Sequence, residues 1–216
     1  MRVLTWNLFH GRARPAAGRP LLVEFARTLA SLEWDVALLQ EVPPWWPPAL
    51  AQVARAQHRQ ALTSRNALLP LRAAIGRRNP DLIASNGGSC NAILARGPIG
   101  EHREAELTRR PERRVAHAIS LAGGGWAVNL HASLRPPART RADVERARAA
   151  ALAWAGDEPV ILGGDFNLLE PAVEGFEHAG GHFVDHVLVR GVRGGDALVL
   201  DAGTLSDHRP VVVSVG

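Results

Sequence analysis

A layered α/β domain, with two packed sheets and helices outside them, is the fold class this sequence predicts, on three observations. Short apolar stretches bounded by glycine, proline and polar residues recur along the chain, as β-strands do. Between some of them run longer stretches whose apolar residues fall at helical spacing. The strands are also too numerous and too often adjacent for a simple doubly wound parallel sheet.

Taken in order, Arg2 to Leu8 reads as the first strand and Pro20 to Leu32 as the first helix. Asp35 to Glu41 is a continuous apolar run that ends in Gln40 and Glu41, the pattern of a strand buried on both faces. Pro43-Pro44 stops it, and Pro48 to Gln60 suits a helix with proline in its first turn. Residues 62–85 read as helix and loop. Asn91 to Ala95, Arg114 to Leu121 and Trp126 to Ala132 read as strands, the last two joined by a Gly123-Gly124-Gly125 turn. Thr140 to Ala155 is an alanine-rich helix closed by Gly156. Strands follow at Pro159 to Leu162, Phe183 to Val189, Ala197 to Leu200 and Val211 to Val215. No repeat, linker or composition shift divides the chain, so residues 1–216 are expected to form one domain.

Composition narrows the chemistry. With 46% hydrophobic and 21% charged residues the chain is of the folded, globular kind. It contains no apolar run of the ~18 residues a membrane span requires, and polar residues interrupt its start too early for a signal peptide; a cytoplasmic location is the default expectation. Cys90 is the lone cysteine, which rules out an internal disulfide and a cysteine-built zinc site. All 25 basic residues are arginine, and tyrosine is absent. Schiff-base catalysis, a P-loop lysine and a catalytic phenol are thereby excluded. Arginines gather at Arg103, Arg109, Arg110, Arg113 and Arg114, and again at Arg135, Arg139 and Arg141. Such groups suit either a polyanionic partner or a plain solvated surface.

The chemistry lies where strands stop. Ile161-Leu162-Gly163-Gly164 delivers Asp165 and Asn167 two residues apart, so an extended chain would aim both the same way and turn Phe166 into the core. The two glycines are expected to allow a tight turn and close approach of a substrate. Asn7 closes the first strand and Glu41 the second. Asn129 and His131 share a face of another strand. Asp185 interrupts an apolar strand, and Asp207-His208 precedes the last. Each has a routine reading as cap, turn former or satisfied histidine; together they are what a polar site across a sheet rim requires. Clustered carboxylates repel unless a cation lies among them, and hard oxygen donors suit Mg²⁺ or Mn²⁺. With imidazoles alongside, phosphodiester hydrolysis is the natural reaction. A Gly87-to-Asn91 nucleophile elbow fails for want of its closing glycine, and Ser206-Asp207-His208 are too close in sequence to form a relay.

In order along the chain, Thr5-Trp6-Asn7-Leu8, Leu39-Gln40-Glu41-Val42, Gly88 to Ala95, Asn129-Leu130-His131, Gly163 to Asn167, Asp185 to Val189 and Ser206 to Pro210 resemble the endonuclease/exonuclease/phosphatase superfamily of metal-dependent phosphoesterases. The resemblance implies a four-layer α/β/β/α sandwich of mostly antiparallel sheets with the site at one end. It implies Glu41 as the main Mg²⁺ ligand, with Asn7 and Asp207 beside it and Mn²⁺ as a substitute. Asp165 and Asn167 would orient or deprotonate the attacking water, and His208, fixed by Asp185, would contact the scissile phosphate. Whether Asp165 or His208 takes the proton stays open. His131 would stand on the leaving-group side, and Asn91 and Asn129 would serve on the substrate side, Asn91 by supporting the site.

Val42 and His131 replace the lysine and tyrosine of the abasic-site branch, which places the chain nearer the deoxyribonuclease and sphingomyelinase-like branches. Nucleic acid, DNA first, is the expected partner. A phospholipid or small phosphate ester is the alternative, and a non-catalytic phosphate-binding module a more distant one. No obligatory protein partner is expected. Trp45 and Trp46 are read as plugging their loop against the body rather than stacking on a base. The other histidines, His10 and His186 among them, are read as surface or core residues.

Overall fold

The computed structural model describes residues 1–64, 66–84 and 88–216; residues 65 and 85 of the 62–85 stretch and Gly87 of the rejected elbow lie outside the described residues. Among the described residues twelve strands form two six-stranded sheets. The first holds β1 (Arg2–Asn7), β2 (Val36–Val42), β3 (Gln57–Leu62), β4 (Cys90–Ala95), β11 (Gly194–Val199) and β12 (Val211–Val215), in the order β11-β12-β1-β2-β4-β3. The second holds β5 (Ile99–Thr108), β6 (Arg114–Leu121), β7 (Trp126–His131), β8 (Val160–Asp165), β9 (Glu177–His182) and β10 (Asp185–Arg190), in the order β5-β6-β7-β8-β10-β9. Each sheet is antiparallel except at its centre, where β1 runs parallel to β2 and β7 to β8. Parallel neighbours need a crossover. Helix α1 (Leu22–Ser31) makes the first and α4 (Pro137–Ala155) the second.

The layers follow from the period-2 alternation of apolar side chains. In β1 and β2, Leu4, Trp6, Ala37 and Leu39 face outward onto Phe25 and Leu29 of α1 and Leu50 of α2 (Pro47–Ala54). In β7 and β8, Val128, Leu130, Val160 and Leu162 face Val144, Ala147 and Ala151 of α4. The inner faces meet through Val3, Val36, Leu38, Ile93, Ile119, Ile161 and Val187. That is helices, sheet, sheet, helix, as the resemblance implied. A third helix, α3 (Leu69–Arg78), presents Gly76 to Trp45, so closely that a Cβ there would come within 2.8 Å of the indole.

Some elements differ from the sequence-based expectation. Residues 57–60 are not the end of a helix: Arg55 takes a left-handed φ of 54°, closing α2, and the chain re-enters the first sheet as β3. Strands β5 and β9 replace segments in which no strand was expected. All three lie at sheet edges, with one flank on solvent and polar residues on it. None of the described helices is long and apolar enough to cross a membrane.

Candidate active site

Along the inner faces the residues grade from apolar to polar toward one end. In β1 the sequence is Val3, Thr5, Asn7; in β7 it is Ala127, Asn129, His131; in β8 it is Ile161, Gly163, Asp165. β10, antiparallel to β8, pairs Asp185 with Asp165, and β7 pairs His131 with Asp165. The polar ends therefore gather at the C-terminal ends of both parallel pairs, where open α/β sheets hold ligands. Glu41 reaches this end through a bulge. Pairing with β4 slips between Leu39 and Val42, and Glu41 takes a φ of 50°. A left-handed backbone at a non-glycine residue costs on the order of 1–3 kcal/mol, and such strain gathers at functional sites.

The result is a cleft of about 750 Å³ lined by Asn7, His10, Glu41, His131, Asp165, Asn167, Asp185, Asp207 and His208. Asn7 Nδ2 donates to Asp165 Oδ2 at 3.0 Å, bridging the two sheets, while Asn7 Oδ1 accepts from the Phe9 N–H at 2.9 Å. Asp165 Oδ1 accepts from the Asn167 N–H at 3.0 Å. Asn167 Nδ2 donates to the Ala132 carbonyl at 2.9 Å. His131 Nε2 lies 3.5 Å from Asp165 Oδ2 and 4.0 Å from Glu41 Oε1. His208 Nδ1 and Asp185 Oδ2 are 2.6 Å apart; a carboxylate accepts, so Nδ1 carries the proton and Nε2 is turned away from Asp185. The loop bearing His208 is tied down by Ser206 Oγ donating to the Asn7 carbonyl at 2.6 Å, and by Trp6 Nε1 donating to the His208 carbonyl at 3.1 Å.

Burial and charge then set protonation. Burial alone would push His208 down, but the Asp185 hydrogen bond and charge, with Asp165 and Asp207, raise it to about 9, so it is a cation at neutral pH. Burial, and next the Asp185 charge, push Asp165 up from the usual carboxylate range. Burial likewise raises Asp185, against the pull of His208. Burial would raise Glu41 as well, but His10, first through its hydrogen bond, and the Arg114 charge hold it down at about 2. Burial and then Arg114 push His131 well below its ordinary value, leaving it neutral.

Glu41, Asp165, Asp185 and Asp207 are among the carboxylates that line this cleft, a donor set that fits a hard divalent cation. Asp165, Asp185 and His208 also place one donor atom each within 4.8 Å of one another, a spacing one ion can bridge. The His208–Asp185 hydrogen bond already engages His208 Nδ1 and Asp185 Oδ2; Glu41 and Asp207 are the freer carboxylates, while Asn7 Oδ1 is taken by the Phe9 N–H.

Eight of the residues singled out in the sequence line the cleft; Asn91 and Asn129 do not. Both are fully buried between the sheets. Asn129 Nδ2 donates to the carbonyls of Leu39 and Ala92, and its Oδ1 accepts from Gln40 Nε2 at 2.8 Å. Asn91 Nδ2 donates to the Val115 carbonyl. The placing of Asn129 on the substrate side is corrected, and Asn91 touches no part of the cleft but keeps a supporting place: both hold the sheets together behind the site. Gly163 and Gly164 also serve packing rather than substrate. A Cβ on Gly163 would meet Leu38 of the facing sheet at 2.7 Å, and one on Gly164 the Leu130 carbonyl oxygen at 2.0 Å. Asn167, at φ 51°, reaches the cleft by a turn and not by extension, while Phe166 is buried in the core as expected.

Trp46 is buried against Phe25, and neither it nor Trp45 lines the cleft, in keeping with a plugged loop. Of the arginine groups only Arg113 and Arg114 line it, joined by Arg14 and Arg209. The residue the sequence reading missed is His10, whose Nε2 lies 3.0 Å from Glu41 Oε2. Its position three residues past Asn7, in the turn that leaves β1, was the available signal.

Comparison with known proteins agrees with this architecture. A family model described as Endonuclease/Exonuclease/phosphatase family matches residues 4–208. No curated protein matches the chain. Among solved structures, a conserved protein of unknown function from Enterococcus faecalis V583 shares 16% identity at a TM-score of 0.75, over 100% of this chain and 99% of its own. The mannosyl-6-phosphatase Bt3783 of Bacteroides thetaiotaomicron VPI-5482 shares 15% at 0.72, over 100% and 99%. TDP2 from Caenorhabditis elegans shares 14% at 0.68, over 99% of this chain and 73% of its own. At these identities the solved structures speak for the fold alone.

Proposed function

The chain belongs to the endonuclease/exonuclease/phosphatase family, whose members are phosphoester hydrolases, and from that premise we propose that it is a Mg²⁺-dependent phosphodiesterase acting on DNA. The observation that carries the reading is the meeting of Asn7, Glu41, His131, Asp165, Asp185 and His208, from both sheets, in one cleft.

Asp165 is the group that takes the proton of the attacking water. Its two oxygens are oriented by Asn7 Nδ2 and the Asn167 N–H, and burial beside Asp185 makes it a stronger base than an ordinary carboxylate. His208 is already protonated near neutral pH, so it neutralises charge on the phosphate rather than accepting a proton. Asp185 holds its Nδ1–H and thereby its ring orientation. Neutral His131 stands beside Asp165, on the leaving-group side. Glu41, Asn7 and Asp207 would hold a Mg²⁺, whose Lewis acidity stabilises the charge developing on the phosphate when it is bound. Mn²⁺ offers the same oxygen preference and is expected to substitute. Arg14, Arg113, Arg114 and Arg209 along the cleft support a polyanionic substrate.

A second reading, hydrolysis of a small phosphate ester, is favoured by one finding. The chain is similar in structure to the mannosyl-6-phosphatase over 99% of that protein's length. The purified protein, with Mg²⁺ or Mn²⁺, is assayed side by side on plasmid DNA, RNA, sphingomyelin, bis-p-nitrophenyl phosphate and a sugar phosphate. Plasmid nicking is expected, lost in EDTA and reduced at least ~100-fold in Asp165→Ala, the scale of a missing general base. Turnover of the sugar phosphate with DNA untouched selects the second reading. Inertness toward every substrate leaves a phosphate-binding module.

A further inference from the structure

His10 stands in the cleft with no part in the chemistry above, yet the chain is built to aim it. It sits in the turn Phe9–Gly11, where Phe9 and His10 take left-handed φ values of 48° and 56°. That strained backbone is held at three points. The Phe9 N–H donates to Asn7 Oδ1, and the Gly11 N–H to the Leu8 carbonyl at 2.8 Å. Gly11 is pressed so closely on the buried Trp46 that a Cβ would come within 2.4 Å of its ring.

The aim is at Glu41. His10 Nε2 lies 3.0 Å from Glu41 Oε2, with the two side chains 12% and 22% exposed. A carboxylate can only accept, so at that distance the proton is on Nε2. Nδ1 is buried, with no hydrogen-bond partner among the described residues, as is the Nε1 of Trp45. Both residues line a cavity of about 10 Å³, room for a single water.

We infer that His10 is a positioning residue: its Nε2–H holds Glu41 Oε2 so that Oε1, on the His131 side, is presented to the divalent cation. The inference rests on the reading of Glu41 as a metal ligand. Partners that hydrogen-bond a ligating carboxylate set its orientation and commonly account for a 10- to 100-fold difference in metal affinity.

Two substitutions separate the donor from the ring. Glutamine carries its amide nitrogen as many bonds from the backbone as the histidine Nε2, and so keeps the donor. Asparagine tolerates the left-handed backbone but stops short, and so loses it. Mn²⁺ binding, measured by the EPR signal of the free ion, is compared for the wild type, His10→Gln, His10→Asn and Glu41→Gln, with the Tm of each recorded in EDTA. The expected result is a Kd raised about tenfold or more in His10→Asn, near the wild-type value in His10→Gln, and binding lost in Glu41→Gln, with the Tm of the His10 variants close to wild type. Wild-type binding by His10→Asn beside a loss in Glu41→Gln overturns the role of His10 alone. Equal weakening in both His10 variants also overturns it, because the donor is then not what matters. Undiminished binding by Glu41→Gln overturns the assignment of Glu41 itself.

Discussion

At the scale of the residue, the cleft separates chemically similar groups by their surroundings. His131 and His208 lie in one cleft, yet burial and the positive charge of Arg114 keep the first neutral while Asp185 keeps the second charged. The identity of each was plain in the sequence; its protonation was not, because that depends on which side chains the fold brings against it. The same split supports, within the proposed function, one side of a choice the sequence left open. A histidine raised to about 9 is already protonated at neutral pH, which on that proposal leaves the proton-accepting part to Asp165. A pH profile tests this. His208 must be protonated to neutralise the phosphate, so activity persists below its pKa and falls as pH rises through about 9. Asp185→Asn removes the charge that raises it, so the alkaline limb of kcat/KM is expected to move to lower pH by a unit or more, with activity at pH 7 reduced on the order of tenfold. A limb that stays in place would show that Asp185 does not hold the proton on His208.

At the scale of the element, central strands were legible, and of the edge strands only β11 was. β2, β7 and β8 are covered on both faces, and burial of both faces writes a continuous apolar run. β3, β5 and β9 each lie at an edge and carry polar residues such as Gln57-His58-Arg59-Gln60, so no period-2 apolar signal was present to read. The glycine pair in β8 makes the converse point. It was visible as a turn former, but its purpose is the close approach of β7 and of the facing sheet. Gly164, at φ 139°, has no room for a methyl group beside the Leu130 carbonyl. Gly164→Ala is therefore expected to lower stability by several kcal/mol or to prevent folding. Gly97→Ala, with nothing within 4 Å of its Cβ, should stay within about 0.5 kcal/mol of wild type. Chemical denaturation of the two variants checks the contrast, and a tolerant Gly164→Ala would show that β7 and β8 can move apart.

At the scale of the whole molecule, the two sheets repeat one arrangement: three strands, a parallel neighbour reached through a helix, then two more. Docked face to face, they bring the C-terminal ends of both parallel pairs together, so neither sheet holds the site alone. The Asn7–Asp165 hydrogen bond spans the docked faces, and Gln40 and Asn129 bind them again behind it. The arginines act at this scale too. A DNA substrate meeting Arg14, Arg113, Arg114 and Arg209 releases counterions, so KM for DNA is expected to rise steeply with salt. Removing one contact by Arg209→Ala should lower the slope of log KM against log salt by about one, while KM for bis-p-nitrophenyl phosphate responds little. A slope equal to wild type would place Arg209 outside the DNA path.

The sequence by itself determined the layered fold, the central strands and the chemical groups at their ends, because alternation and strand-end placement are local properties of a chain. Only the tertiary structure decided that Asn91 and Asn129 lie behind the site and that His10 stands against Glu41. It also decided that His208 is charged where His131 is neutral. Those outcomes depend on contacts between residues as far apart as Asn7 and Asp165, 158 positions along the chain, which exist only once the two sheets have docked.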